Sequence, residues 1–503
     1  MTSTDPLRVD FRDWVAFRAT THADHLSIEC GDERLTYRDL DARVGRTAGA
    51  LRALSVAEGE PVAVLMGNGV PIAVFAHAVP RAGGLFMPLN ARLSAGELAY
   101  QLRDARVRFL VATAEYLDAA REASAEAPGV EVLAAEEARW SAGTPLAGPS
   151  DVEADRGHSV IYTSGTTGRP KGAVLTHGNF TWSAVASAAN LGVREDDRWL
   201  ACMPLFHVGG LSILLRSAIY GTTAVIHDRF DEVRVNRALR EERITLLSVV
   251  ATMLQRMFEA DALPYPSTLR AVLLGGGPAP RPLLEASRER GMPVLQTYGL
   301  TETASQVATL SEADALRKLG SAGLPLPSAT VRIEVDGRTA APNEIGEILV
   351  SGPTVCAGYL HRPDATAAAI RDGWLHTGDL GYVDAEGYLY IADRRDDLIV
   401  SGGENVYPAE VESALLGHAG VAECAVVGVR DDRWGHRVVA VVVPSEVGVT
   451  APELTDYLRE RLAGYKVPRA FVFQADPLPR TASGKLQRHL VRAEQIGRAS
   501  RGG

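Results

Sequence analysis

Tyr162-Thr163-Ser164-Gly165-Thr166-Thr167-Gly168-Arg169-Pro170-Lys171-Gly172 holds three glycines, four aliphatic hydroxyls and one lysine within eleven residues. Val160 and Ile161 lead in like the end of a buried strand, and Ala173-Val174-Leu175 leads out. A loop of this make-up wraps polyphosphate. Its glycines let backbone N–H groups approach closely, its hydroxyls add donors, and Lys171 adds charge. It is not a Walker A loop, because Gly172 follows the lysine where a Ser or Thr would be needed for magnesium. The same composition also describes a surface hairpin rich in Gly and Thr, although ordinary hairpin loops have only about two to five residues.

The chain around this loop has 503 residues, enough for two or more domains and a large core. Hydrophobic residues make up 46% and charged residues 23%, as in an ordinary soluble globular protein. The net charge of −10 argues against nucleic acid as a partner. Met1 to Trp14 is polar and lacks the pattern of a signal peptide. The most apolar stretch, Val62 to Val79, is interrupted by Asn68 and Pro71 and reads as strand and helix, not as a membrane span. Cys30, Cys202, Cys356 and Cys424 lie far apart without a CxxC pair, which points to reduced thiols in the cytosol and no zinc site. Of the 52 Lys plus Arg, only Lys171, Lys318, Lys466 and Lys485 are lysine. Against such a bias, a retained lysine marks a place that requires a compact ammonium, or else survives by chance.

Short apolar runs alternate with helical patterns through the first three hundred or so residues. Pro61 to Met66 and Arg108 to Ala112 read as buried parallel strands, and Leu246 to Val250, Ala271 to Leu274 and Val294 to Tyr298 continue the alternation of strand and helix. Leu35 to Leu40 reads as a strand end entering a capped helix, and Ser141 to Gly157 as a linker. The alternation predicts stacked α/β layers with ligands at the carboxyl ends of strands. From Val331 to Asp393, alternating runs with Gly and Asp turns predict a small β-barrel subdomain. A charged cluster, Asp393 to Asp397, then precedes about 105 residues with their own pattern. The boundary predicts an N-terminal domain over 1–394 and a small α+β domain over 395–503, its last ten residues frayed.

A second motif, Pro479-Arg-Thr-Ala-Ser-Gly-Lys485, joins the first, with Tyr298-Gly299-Leu300-Thr301-Glu302 and Thr377-Gly378-Asp379 between them. Together these segments resemble the adenylate-forming enzymes, the acyl-CoA synthetase and luciferase superfamily, in that family's order from near residue 35 to 490. The resemblance implies ATP, Mg²⁺ and coenzyme A. Thr163 to Gly168 and Lys171 would hold phosphates, Thr166 and Glu302 the metal, and Thr301 the α-phosphate. Physically, a carboxylate near polyphosphate is repulsive unless a cation lies between them. Gly276, Gly277, Pro278, Thr297, Tyr298 and Gly299 would line the adenine and nucleotide site. Asp379, read as sitting on a tight turn, would accept both ribose hydroxyls, and Arg394 would contact ribose or phosphate. Lys485 would bridge the substrate carboxylate and the α-phosphate, where a placed ammonium stabilises the charge of the transition state. Asp396 matches the hinge of a mobile C-terminal domain. Gly402, Gly403, Glu404 and Trp434 match the thioester step, though a core Trp is an equal reading for Trp434. Arg395 is a departure whose consequence is open.

Met203-Pro-Leu-Phe-His207 resembles the family's aromatic gate before the acyl pocket. That segment, with Trp182 to Gly192, Gly210 to Ser217, Leu274 to Glu285 and Thr301 to Gln306, resembles the o-succinylbenzoate–CoA ligases of menaquinone synthesis. Their acid has two carboxylates, one activated and one that stays charged, and a buried carboxylate needs a partner. Arg216 interrupts an apolar helical run and suits that role; the alternative is an arginine snorkelling to the surface, which would leave Ser305 and Gln306, the other acyl-pocket candidates, as the pairing groups. A medium-chain or aryl acyl-CoA synthetase is the second reading, and a luciferase-type oxygenase a third. The partners implied are an acid, ATP and CoA; a homodimer is left open.

Overall fold

The computed structural model describes residues 10–163, 170–277, 279–394, 397, 399–401, 404–431, 435–462, 464–480 and 486–501. Three large sheets organise them, beside a two-stranded pairing of Asp10–Phe11 with Val152–Glu153. The first runs in the order Gly358–Tyr359, Lys171–Thr176, Gly157–Thr163, Leu85–Pro88, Pro61–Leu65, Phe109–Ala112 and Glu131–Ala134. Its last five strands are parallel; the strand starting at Lys171 adds to them antiparallel, and Gly358–Tyr359 pairs antiparallel beyond it at the edge. The parallel strands Pro61–Leu65, Leu85–Pro88 and Phe109–Ala112 are buried at every position, as their uninterrupted apolar runs require.

In the second sheet, Leu26–Cys30, Thr223–Ile226, Arg198–Ala201, Leu246–Val250, Ala271–Gly275 and Val294–Leu300 lie parallel in that order. Beyond Val294–Leu300 the pairing turns antiparallel through Ser305–Leu310 and Ser321–Pro325 into the strands between Thr330 and Arg394. The antiparallel segment expected there is thus joined edge to edge to the α/β sheet. Helices Val70–Ala82, His177–Leu191 and Val208–Tyr220 share one core with residues of both sheets. Val70–Ala82 is buried at every position but Pro71, because it lies between the first sheet and the helix Tyr37–Ala53.

Helix starts follow side-chain chemistry. Thr36 with Asp39, and Thr176 with Asn179, form reciprocal caps that satisfy the first free N–H groups. The stretch read as a linker is partly a packed strap. Leu146 N–H donates to Gly45 O (2.9 Å), and Thr144 O comes so near Gly49 that a Cβ there would sit 1.8 Å from it.

The third sheet comprises Ile399–Ser401, Glu404–Val406, Val421–Asp431, Gly435–Pro444 and Ala470–Phe473. Alternate residues of Val421–Asp431 enter separate cores, Val426 one and Ala425, Val427 and Val429 the other, so both faces are covered. The frayed terminus expected from polarity is corrected. Arg488–Arg501 is a helix that buries Val491 and Gln495, and Arg488 reaches Glu412 (2.5 Å) and Asp397 (3.2 Å). Among the described residues no helix is long and apolar enough to cross a membrane.

Candidate active site

The strands Gly157–Thr163 and Lys171–Thr176 pair with Thr163 opposite Lys171, so the phosphate-type loop is the connection of an antiparallel hairpin. Ser164, Gly165, Thr166, Thr167 and Gly168 lie outside the described residues, as do Pro278, Asp396, Gly402, Gly403, Trp434 and Lys485. Of Arg394 and Glu404 only the backbone is described.

At the hairpin's mouth, Glu302 Oε1 accepts from Tyr359 OH (2.9 Å) and from Thr163 Oγ1 (3.4 Å). Glu302 O accepts from Cys356 N–H (2.8 Å), and Lys171 Nζ stands 4.8 Å from the centroid of the Tyr359 ring. Thr163, Lys171 and Glu302 are therefore brought together, with Tyr359 between the charges. Burial, reinforced by the neighbouring Glu302 carboxylate, pushes the Tyr359 hydroxyl far above its ordinary pKa, so it stays a donor. Ala304 (φ 50°) and Ser305 (φ 101°) follow in left-handed backbone rarely used by residues with side chains. Gly299 permits the turn, because a Cβ there would sit 1.7 Å from Ser305 O.

The nucleotide candidates cluster at the carboxyl ends of parallel strands. Gly276 (φ 83°) and Gly277 (φ 157°) follow directly after Ala271–Gly275. Next to them, Thr297 Oγ1 donates to Ala308 O (3.0 Å). Tyr298 OH donates to Asp379 Oδ2 (2.7 Å). Asp379 is not on a tight turn, as its Thr-Gly-Asp context suggested. It lies within the strand Trp374–Val383, directly opposite Arg394, because Gly378 (φ 70°) bends the strand without ending it. Register thus sets the two ribose candidates side by side.

The acyl-side residues sit around Val208–Tyr220. His207 is its N-cap residue, and burial, with the Arg92 charge adding to it, lowers its pKa to about 4, so the ring is neutral at neutral pH. Its Nε2 is buried without a partner among the described residues. Asn68 holds the preceding loop, donating to Met203 O (2.9 Å) and His227 O (3.1 Å) and accepting from Leu205 N–H (2.9 Å). Arg216 is only 3% exposed, which excludes snorkelling. Its Nη2 donates to Ser183 Oγ (3.0 Å), which donates on to Ala304 O (2.7 Å). Trp199 lies 5.8 Å away, Nε has no partner, and no carboxylate pairs with Arg216 among the described residues. Burial lowers its pKa from the usual value. Gln306 Nε2 reaches Thr297 and Thr309 Oγ1 (3.4 Å each), while its Oε1 is buried and without a partner among the described residues.

Among the described residues no cluster of three His, Cys, Asp or Glu forms a metal cage. A single carboxylate, Glu302, suits Mg²⁺, which keeps waters and takes most of its ligands from phosphate oxygens. The donor set therefore fits a cation carried in on a nucleotide.

A family described as AMP-binding enzyme matches residues 15–360, and the AMP-binding enzyme C-terminal domain matches residues 410–485. The chain belongs to the AMP-binding enzyme family. It is a ligase of the AMP-forming type. The 2-succinylbenzoate–CoA ligase of Bacillus cereus is 46% identical over 480 residues, covering 95% of this chain and 97% of that relative. The o-succinylbenzoate CoA synthetase of Bacillus subtilis, solved with its acyl-adenylate intermediate, superposes with a TM-score of 0.90 at 43% identity, covering 96% and 98% of the two chains. The same enzyme with ATP and magnesium gives 0.89 at 43% identity, covering 96% and 99%.

Three residues of the candidate site carried little or no signal in the sequence. Asn68 was visible only as a polar break in an apolar run. Ser183 and Tyr359 carry no spacing signal, because they reach Arg216 and Glu302 through tertiary contacts.

Proposed function

We propose that the chain makes o-succinylbenzoyl-CoA for menaquinone synthesis in two half-reactions. In the first, the succinyl carboxylate attacks the α-phosphorus of ATP and pyrophosphate leaves. In the second, the CoA thiol attacks the acyl-adenylate carbonyl and AMP leaves. Glu302 and Thr166 orient a magnesium ion, which neutralises phosphate charge when bound. Thr163 to Gly168 and Lys171 cradle the phosphates, with Thr301 at the α-phosphate. Gly276, Gly277, Pro278, Thr297, Tyr298 and Gly299 line the adenine side. Asp379 and Arg394 take the ribose. Lys485 stabilises charge at the α-phosphorus during adenylation. Residues 395–503 then swing about Asp396, bringing Gly402, Gly403, Glu404 and Trp434 to the thioester step. His207 gates the acyl pocket, while Ser305 and Gln306 line it. The cytosol is the compartment and a homodimer the assembly in this reading; light scattering checks the latter.

The observation that carries the choice of acid is Arg216, a buried guanidinium without a carboxylate partner among the described residues. An isolated buried charge is costly, and a second carboxylate on the substrate supplies the missing counter-ion. The test offers ATP, CoA and a panel of acids, and measures AMP and pyrophosphate. o-Succinylbenzoate should turn over best, and the analogue without the ring carboxylate should lose roughly 10²-fold or more in kcat/KM. Equal rates for the two acids would sink the dicarboxylate reading in favour of a medium-chain or aryl acyl-CoA synthetase. ADP as product would sink adenylation itself.

A further inference from the structure

Lys171 and Glu302 carry opposite charges at the mouth of one hairpin, yet no ion pair joins them among the described residues. Tyr359 stands between the two. Its hydroxyl holds Glu302 Oε1 at 2.9 Å, and the Lys171 ammonium rests 4.8 Å from its ring centroid. Thr163 Oγ1 reaches the same oxygen of Glu302, so among the described residues Oε2 has no hydrogen-bond partner. We propose that Tyr359 is a positioning residue that keeps Glu302 and Lys171 apart, so that the carboxylate stays available to a metal ion and the ammonium to phosphate. This inference rests on the reading of Glu302 as the metal carboxylate.

The backbone around Tyr359 is built to hold it there. Gly358–Tyr359 pairs with the hairpin strand, Tyr359 lying opposite Ala173. Cys356 N–H donates to Glu302 O (2.8 Å), Ala357 N–H to Val174 O (3.0 Å) and Leu360 N–H to Gly172 O (2.8 Å). Asn179 Nδ2 clamps the segment at Pro353 O (2.9 Å) and Val355 O (2.8 Å), and Tyr359 N–H donates to Thr366 Oγ1 (2.9 Å). One short segment thereby ties the hairpin to the Thr301–Thr303 turn. A charge-assisted hydrogen bond fixes the carboxylate, and the ring face attracts the cation without neutralising it. Without Tyr359, Lys171 and Glu302 would be free to pair with each other, and each would be lost to the ligand.

Calorimetry of ATP binding, with and without Mg²⁺, separates the two roles. Tyr359→Phe keeps the ring and loses the hydroxyl. It should bind metal-free ATP within about twofold of the parent, while the gain in affinity on adding Mg²⁺ shrinks roughly 5- to 10-fold. Tyr359→Leu removes the ring as well and should also weaken metal-free ATP, by roughly 3-fold or more. Binding stoichiometry near that of the parent certifies that each variant is folded. An undiminished Mg²⁺ gain in Tyr359→Phe overturns the inference. Glu302→Gln is the control for the underlying reading. If it loses the Mg²⁺ gain while Tyr359→Phe keeps it, only the role of Tyr359 falls. If Glu302→Gln itself keeps the full gain, Glu302 is not the metal carboxylate and both readings fall.

Discussion

Arg216 is where a single side chain discriminates most between functions. Its guanidinium meets Ser183 and Trp199 but no carboxylate among the described residues. If the substrate supplies that carboxylate, Arg216→Ala should lower kcat/KM for o-succinylbenzoate by roughly 10²-fold or more and affect the monocarboxylate analogue far less. Arg216→Lys should fall between, since it keeps the charge and loses the planar fork. Equal losses on both acids would make Arg216 a structural brace acting through Ser183 on Ala304 O. The sequence marked Arg216 because it broke an apolar helical run; that its head stays buried is decided by the second sheet and the helices Trp14–Thr21 and His177–Leu191 packed around its helix. The lysines divide in the same way. Lys171 lies at the site, but Lys318 is held by Asp384 (2.7 Å) and Glu386 (2.5 Å) against the Tyr388 ring, a compact ammonium kept for packing. Its partners lie more than sixty residues away, and nothing in the local pattern signals them.

At the scale of elements, the turn between Val294–Leu300 and Ser305–Leu310 is the tightest device near the site. The Tyr298-Gly299 step carries a register shift, and the backbone of Ser305 fills the space that a side chain on residue 299 would need. Gly299→Ala should force those strands apart, destabilising the protein by about 1–3 kcal/mol in urea unfolding. It should also raise the KM for ATP, because Thr297, Tyr298 and Glu302 sit on the displaced segment. Unchanged stability together with unchanged KM would show that the turn yields without consequence. The parallel strands were legible in the sequence, since strands buried on both faces read as continuous apolar runs. The helix Arg488–Arg501 was not, because charges such as Arg488 answer Glu412 and Asp397 from a distance and mask its buried face. The strand through Asp379 was misread locally because Gly378 looks like a turn residue, whereas pairing with Leu389–Arg394 holds it in a sheet.

Across the whole molecule, Asp13 and Trp14 wedge in beneath the hairpin that carries the phosphate-type loop. Trp14 stacks on His158 (5.3 Å) and meets His177 (5.2 Å), the two imidazoles lie 4.9 Å apart, and His77 lines the same small cavity. Asp13 caps the first helix and grips Arg81 through two bonds of 2.8 Å; Arg81 also reaches Asp41 (2.7 Å), and Arg156 lines the rim. Burial is the main cause that lowers the pKa of His77 to about 4 and of His177 to about 3, and it drives His158 well below its ordinary value. In the unfolded chain these imidazoles titrate near 6.5. Below that pH the unfolded state therefore binds more protons, and stability must fall as pH drops from about 6.5 towards 4. Each such histidine contributes a slope of about 1.4 kcal/mol per pH unit once the pH is well inside that window. Asp13 acts only at lower pH: burial would raise its pKa, but the Arg81 charge and hydrogen bonds outweigh that and hold it below 3.8. His207 and His227, both lowered to about 4, add to the same overall slope, so a difference between proteins isolates one ring. Urea unfolding at pH 7, 6 and 5 should show stability falling with acidity in the parent. His158→Gln, which places a polar group that does not titrate in the cluster, should be less stable at pH 7 and flatter by about one proton between pH 6 and 5. A variant as steep as the parent would mean that His158 takes up its proton in the folded state, and that the wedge beneath the hairpin tolerates a charge.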